Sequence, residues 1–125
     1  MRYAIGVALS LLAPAGTLAR PPAPKLFQTP SSKIICWNLH PTYMQCVIFL
    51  DRGGRYLGTV SDSGPPVLQR HPATANIPGV PTYTLKYGHT WHRGAFTCIS
   101  RTNGLRCASR SGGIFLSQQH SYVFR

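Results

Sequence analysis

Apolar positions along this chain come in short runs of β-branched and aromatic residues, separated by turn-forming clusters, which is the pattern of strands rather than helices. Residues 34–39 and 43–50 form two such runs around His40-Pro41-Thr42, a hairpin signal with a proline in its loop. The second run is almost continuously apolar, which predicts a strand covered on both faces. Further on, Phe96 and Cys98 alternate with Thr97, and Leu105 and Cys107 alternate with Arg106, so each run has one apolar and one wetter face. Arg101-Thr102-Asn103-Gly104 between them is a turn, because Asn and Gly tolerate positive φ. Residues 82–87, 113–117 and 121–124 read as further extended segments that complete the domain.

Residues 51–81 interrupt this order, with turn clusters at Arg52-Gly53-Gly54-Arg55 and Ser63-Gly64-Pro65-Pro66. Irregular connections this long are uncommon in compact domains. The stretch is therefore either a functional surface loop or the place of short strands at 56–60 and 67–69. Composition supports strands throughout: 12 Gly and 11 Pro make about a fifth of the chain, and Glu is absent. The expected fold is all-β, a small antiparallel sandwich or partly open barrel.

The N-terminus changes the setting. Arg2, an apolar run at 4–12 and small residues before Ala15 and Ala19 give the anatomy of a secretory signal peptide over residues 1–19. A Pro-rich leader, 20–26, and a single domain, 27–125, follow it. The apolar run is too short to span a bilayer, which takes about 20 residues. No stable membrane span is expected, and the mature protein is read as secreted or periplasmic.

Export gives the four cysteines their meaning. Thiols oxidise outside the cytosol, so Cys36, Cys46, Cys98 and Cys107 predict two disulfides. Of the three pairings, spacing ranks Cys36–Cys46 and Cys98–Cys107 first, each bridging a hairpin. Structural zinc sites want cysteines two to four residues apart, and these are not.

The residues around the cysteines resemble a family of small exported bacterial domains with no assigned activity. Phe27-Gln28-Thr29-Pro30-Ser31-Ser32-Lys33-Ile34-Ile35-Cys36 is similar to that family's Phe-x-Ser/Thr-Pro-Ser-Gly-Asn-Ile-x-Cys opening. Tyr87-Gly88-His89-Thr90 resembles its Tyr-Gly-x-Thr turn, and 98–100, 104–107 and 113–117 echo its later half. Ser32-Lys33 replaces the family's Gly-Asn, and Gln118 replaces its usual Arg. The resemblance implies export and two disulfides, and it implies no activity.

Charge narrows the partner. Thirteen Lys and Arg face two acids, Asp51 and Asp62, for a formal net charge of +11. Such a chain attracts an anionic polymer, a lipid headgroup or an acidic protein, or simply gains solubility. No recognised nucleic-acid module is present, so no specific nucleic acid is expected. Tyr83, Lys86, Tyr87, Trp91, His92 and Arg93 interleave aromatic rings with cations, either as a binding stretch or as core aromatics with snorkelling cations. Arg101, Arg106 and Arg110 flank the second hairpin as further binding candidates or as a solvated face.

Catalytic chemistry finds little material. Two acids leave few options for a Ser-His-Asp triad or a carboxylate pair, and no Gly-x-Ser-x-Gly elbow or P-loop occurs. His89 and His92, with His71 or His120, are a remote metal alternative. The expectation is a non-catalytic binding module without a cofactor. An exported enzyme inhibitor using 51–81 as its insert is the alternative.

Overall fold

The computed structural model describes residues 22–73 and 76–125; the signal sequence lies outside them. The described residues form ten strands in two antiparallel sheets, with no helix among them. The first sheet is β1 (Leu26–Gln28), β2 (Ile34–His40), β3 (Tyr43–Phe49), β4 (Arg55–Ser61) and β5 (Val67–Arg70). The second is β6 (Thr90–Arg93), β7 (Phe96–Arg101), β8 (Gly104–Ser109), β9 (Gly112–Leu116) and β10 (Tyr122–Phe124). Each sheet is a meander whose strands pair in chain order. The result is a sandwich, not a closed barrel.

The period-two pattern fixes the core. In the first sheet one rung of paired residues runs Phe27, Cys36, Cys46, Gly58, Leu68. In the second the matching rung runs Trp91, Cys98, Cys107, Ile114, Val123. The two rungs face each other: the Phe27 and Trp91 rings are 4.9 Å apart, and the Cys46 and Cys107 sulfurs 3.9 Å apart. Gly58 lies beneath Ile114, whose Cδ1 stands 2.6 Å from where a Cβ would be. Strand order, register and facing partners thus repeat between the halves, a relation too diverged to read as a sequence repeat.

Both expected disulfides form, Cys36–Cys46 and Cys98–Cys107. Each joins residues directly opposite on neighbouring strands, with Cα separations of 4.0 and 4.1 Å, where cross-strand side chains come closest. Bonds of this kind fit an oxidising compartment.

The 51–81 stretch is largely sheet. It contains β4, packed against β9 in the sandwich interior with Val60 fully buried, and β5 at the sheet edge. What remains, 71–82, runs from the β5 edge to the β1 edge and places Gly79 against Leu26. It crosses the outer face of the first sheet, where Val47 and Trp37 are buried although they point away from the sandwich interior. The continuous apolarity of β3 reflects this double cover.

Residues 82–87 do not form the expected strand. Thr84 makes one parallel bridge to Gln28, with Leu85 buried behind it, and a turn at Tyr87-Gly88 ends the segment. The leader, expected to be free, is tied down from Ala23. Its carbonyls at Ala23, Pro24 and Lys25 accept hydrogen bonds from Arg93, Trp91 and the Asn38 amide.

Candidate anion-binding cleft

The turns joining β2–β3, β4–β5, β6–β7 and β8–β9 lie at one end of the sandwich, called here the upper end. At its β1/β6 side, a cleft of about 490 Å³ opens between the leader, the end of β2 and the end of β6. Lys25, His40, His92 and Arg93 line it, with Asn38 and the exposed Leu39 between them.

Each cation is placed by local structure. The leader carries Lys25 into position because the Asn38 amide holds its carbonyl at 2.8 Å. Asn38, itself buried, donates its side-chain amide to the His40 and Tyr43 carbonyls at 2.6 and 2.9 Å. That bond pair fastens the irregular end of the β2–β3 hairpin and fixes where His40 emerges. The His40 ring then stacks on Tyr43, centroids 4.8 Å apart. His92 pairs through Nδ1 with Thr97 Oγ1 at 2.8 Å, which leaves its Nε2 edge unengaged in the cleft. Arg93 donates one N–H to the Ala23 carbonyl at 2.9 Å and keeps the rest of its fork.

No carboxylate lines this cleft. Asp51 is at the opposite, lower end and pairs with Lys33 at 3.3 Å, the one salt bridge among the described residues. Asp62 stands at the upper end but across the β2–β3 turn, where its carbonyl accepts from Arg110 and Ser111.

The remaining binding candidates are dispersed. Trp91 is only 2% exposed, so its ring belongs to the core and offers no stacking face. Tyr83 and Lys86 lie exposed on the strap beside β1. Tyr87 and Arg101 meet at the lower end, in a separate polar cavity of about 230 Å³ that also includes Lys33, Asp51 and Gln118. Arg106 lies over Phe124 on the outer face of the second sheet, and Arg110 ties the β8–β9 turn to the β4–β5 turn. Sequence reasoning found His92 and Arg93 but missed Lys25 and His40. Those two lie 52 or more residues away in the chain, and only the docking of the leader onto β6 brings them in.

The histidines considered for a metal do not gather. His89 precedes β6, His71 ends β5 beside Gly54, and His120 stacks on Tyr122. The close sulfurs of Cys36, Cys46 and Cys107 are disulfide sulfurs, not thiolate ligands. Among the described residues no helix is long and apolar enough to cross a membrane. No protein-family model, curated protein or solved structure matches the chain.

Proposed function

We propose that this protein is an exported, non-catalytic binding module of the cell envelope or secreted space that captures an anionic partner in the upper cleft. The observation that carries this reading is the convergence of Lys25, His40, His92 and Arg93 on one cleft that no carboxylate lines. Like charges gathered without a counter-ion repel one another, and a bound carboxylate, sulfate or phosphate relieves that repulsion. Arg93, anchored by one N–H, is held ready to engage an oxyanion with its remaining donors.

The reading as a non-enzyme rests on the scarcity and placement of acids. Asp51 and Asp62 bracket β4 at opposite ends, about 20 Å or more apart for a seven-residue strand, too far for carboxylates acting as a pair. Export rests on the signal-like residues 1–19 together with the disulfides, and the bacterial setting on the resemblance of the opening motif. The inhibitor alternative loses most of its insert, since β4 and β5 belong to the sheet and only 71–82 is left to serve.

Equilibrium binding to dextran sulfate over a salt series tests the function. Tight binding at low salt that weakens steadily as salt rises is expected. Absence of binding at low salt, or binding indifferent to salt, contradicts it.

A further inference from the structure

The two outer faces of the sandwich differ. The first sheet is crossed by the chain's own 71–82 segment, while no described segment crosses the second. The outward rungs of the second sheet are Thr90, Ile99, Arg106, Phe115, Tyr122 and His92, Thr97, Ala108, Gly113, Phe124. The face is flat and small-residued in its middle, and at the β9–β10 edge it carries three aromatic rings.

Those rings are laid down on glycine. A Cβ at Gly104 would strike Phe115 Cζ at 2.6 Å, and one at Gly113 would strike Phe124 Cζ at 2.7 Å. The two rings therefore occupy the space above bare backbone. Tyr122 joins them, its centroid 5.3 Å from Phe115 and 6.5 Å from Phe124, and is 43% exposed. The Arg106 guanidinium lies 4.3 Å above the Phe124 ring. Stacked on that ring, its plane is held while its N–H edges face outward, the geometry that grips a carboxylate with two donors. The second sheet contains no acidic residue.

We infer that this strip binds an acidic polysaccharide, with sugar rings on Phe115, Tyr122 and Phe124 and a uronate carboxylate on Arg106. This rests on the reading of the protein as a binder of anions and adds a second surface and a ligand class to it. Aromatic faces carry negative potential and attract the polarised C–H face of a pyranose. One guanidinium serves three rings here. That ratio suits a ring polymer of modest charge, whereas a nucleic acid presents a phosphate with every base and calls for a cationic groove along its backbone. His92 lies on the same outward rung as Phe124, four strands away, or about 19 Å. A linear chain lying along this rung spans from the aromatic strip to the upper cleft.

The test uses the full mature protein and a short oligogalacturonate, with a neutral oligogalactan and a single-stranded oligothymidylate as competitors. Amide shifts are mapped by NMR, and affinities are measured for wild type, Tyr122→Leu, Arg106→Gln and Lys25→Gln/Arg93→Gln. Tyr122→Leu keeps apolar bulk on an edge strand, and thermal unfolding confirms that each variant is folded. Expected are shifts at Arg106, Phe115, Tyr122 and Phe124, and an affinity loss of about ten-fold in Tyr122→Leu and in Arg106→Gln. Lys25→Gln/Arg93→Gln should bind the short sugar as wild type does. Shifts confined to the upper cleft and untouched by Tyr122→Leu overturn the strip while leaving the anion-binding reading intact. Equal binding of the neutral sugar, or preference for the oligothymidylate, overturns the assignment to an acidic glycan. If dextran sulfate is not bound either, both readings fall.

Discussion

The Sγ atoms of Cys46 and Cys107 lie 3.9 Å apart, so the disulfides of the two sheets touch in the middle of the sandwich. Each bond closes its own hairpin, and their contact joins the hairpins to one another. Met44 and Cys98 extend the contact, Sγ to Sδ 3.8 Å, which makes the centre of the core a packed cluster of sulfur. In a domain of this size such cross-links supplement a modest apolar interior.

Removing one bond should be felt through both sheets. Cys36→Ala/Cys46→Ala loses about 2.7 kcal/mol of loop-closure stabilisation for a sequence separation of 10, and loses the sulfur contact as well. Urea unfolding of the double variant should therefore show a loss of at least about 2.5 kcal/mol. A loss under about 1 kcal/mol would mean that the bond does little in the folded domain.

Gly58 and Ile114 should couple. The glycine leaves room for the isoleucine to reach across from β9, and a Cβ there would stand 2.6 Å from its Cδ1. Gly58→Val overpacks the interface and should cost about 2 kcal/mol or more. Adding Ile114→Ala should recover part of that cost, so the double variant is more stable than the sum of the singles predicts. Simple additivity in chemical denaturation would show that the two positions do not compete for space.

Ser32 occupies a conformation that favours glycine. Its φ is +63°, in the turn where its N–H donates to the Thr29 carbonyl at 2.9 Å. Ser32→Gly should be at least as stable as the wild type, since relief of the left-handed conformation offsets the entropy of glycine. Ser32→Val should lose about 1–2 kcal/mol. The opposite order in thermal unfolding would contradict the turn geometry.

Gln118 clamps the two sheets at the lower end. Its amide donates to the Phe49 carbonyl at 2.9 Å and its Oε1 accepts from the Asp51 N–H at 2.8 Å. Its own carbonyl accepts from Arg52. Gln118→Ala should cost about 2 kcal/mol for the two side-chain bonds and speed hydrogen exchange at the Asp51 amide. Unchanged protection of that amide would rule out the clamp.

The fold was legible where side-chain chemistry is local. The cysteine spacing, the Asn103-Gly104 turn and the alternation around Cys98 and Cys107 each reflect neighbours in one hairpin. The β4 strand was obscured because Gly58, the residue that makes room for Ile114, reads in sequence as a turn former. Residues 82–87 carry strand-like composition but sit beside the edge of β1, where one bridge suffices to anchor Leu85. The cleft was half legible: His92 and Arg93 stand together in sequence, but Lys25 and His40 reach them only through tertiary docking. Trp91 shows why an aromatic among cations is ambiguous, since its place was decided by the facing Phe27.

The cleft itself is tested by two variants of equal charge. Lys25→Gln/Arg93→Gln removes two cations from it, and Arg70→Gln/Lys86→Gln removes two exposed cations from elsewhere. Dextran sulfate affinity is measured for each across a salt series. The cleft variant should bind about ten-fold more weakly than the wild type, with a log-log salt slope shallower by about two, while the distant variant stays near wild type. Equal losses in the two variants would show that the attraction comes from overall charge and that no cleft of this kind captures the anion.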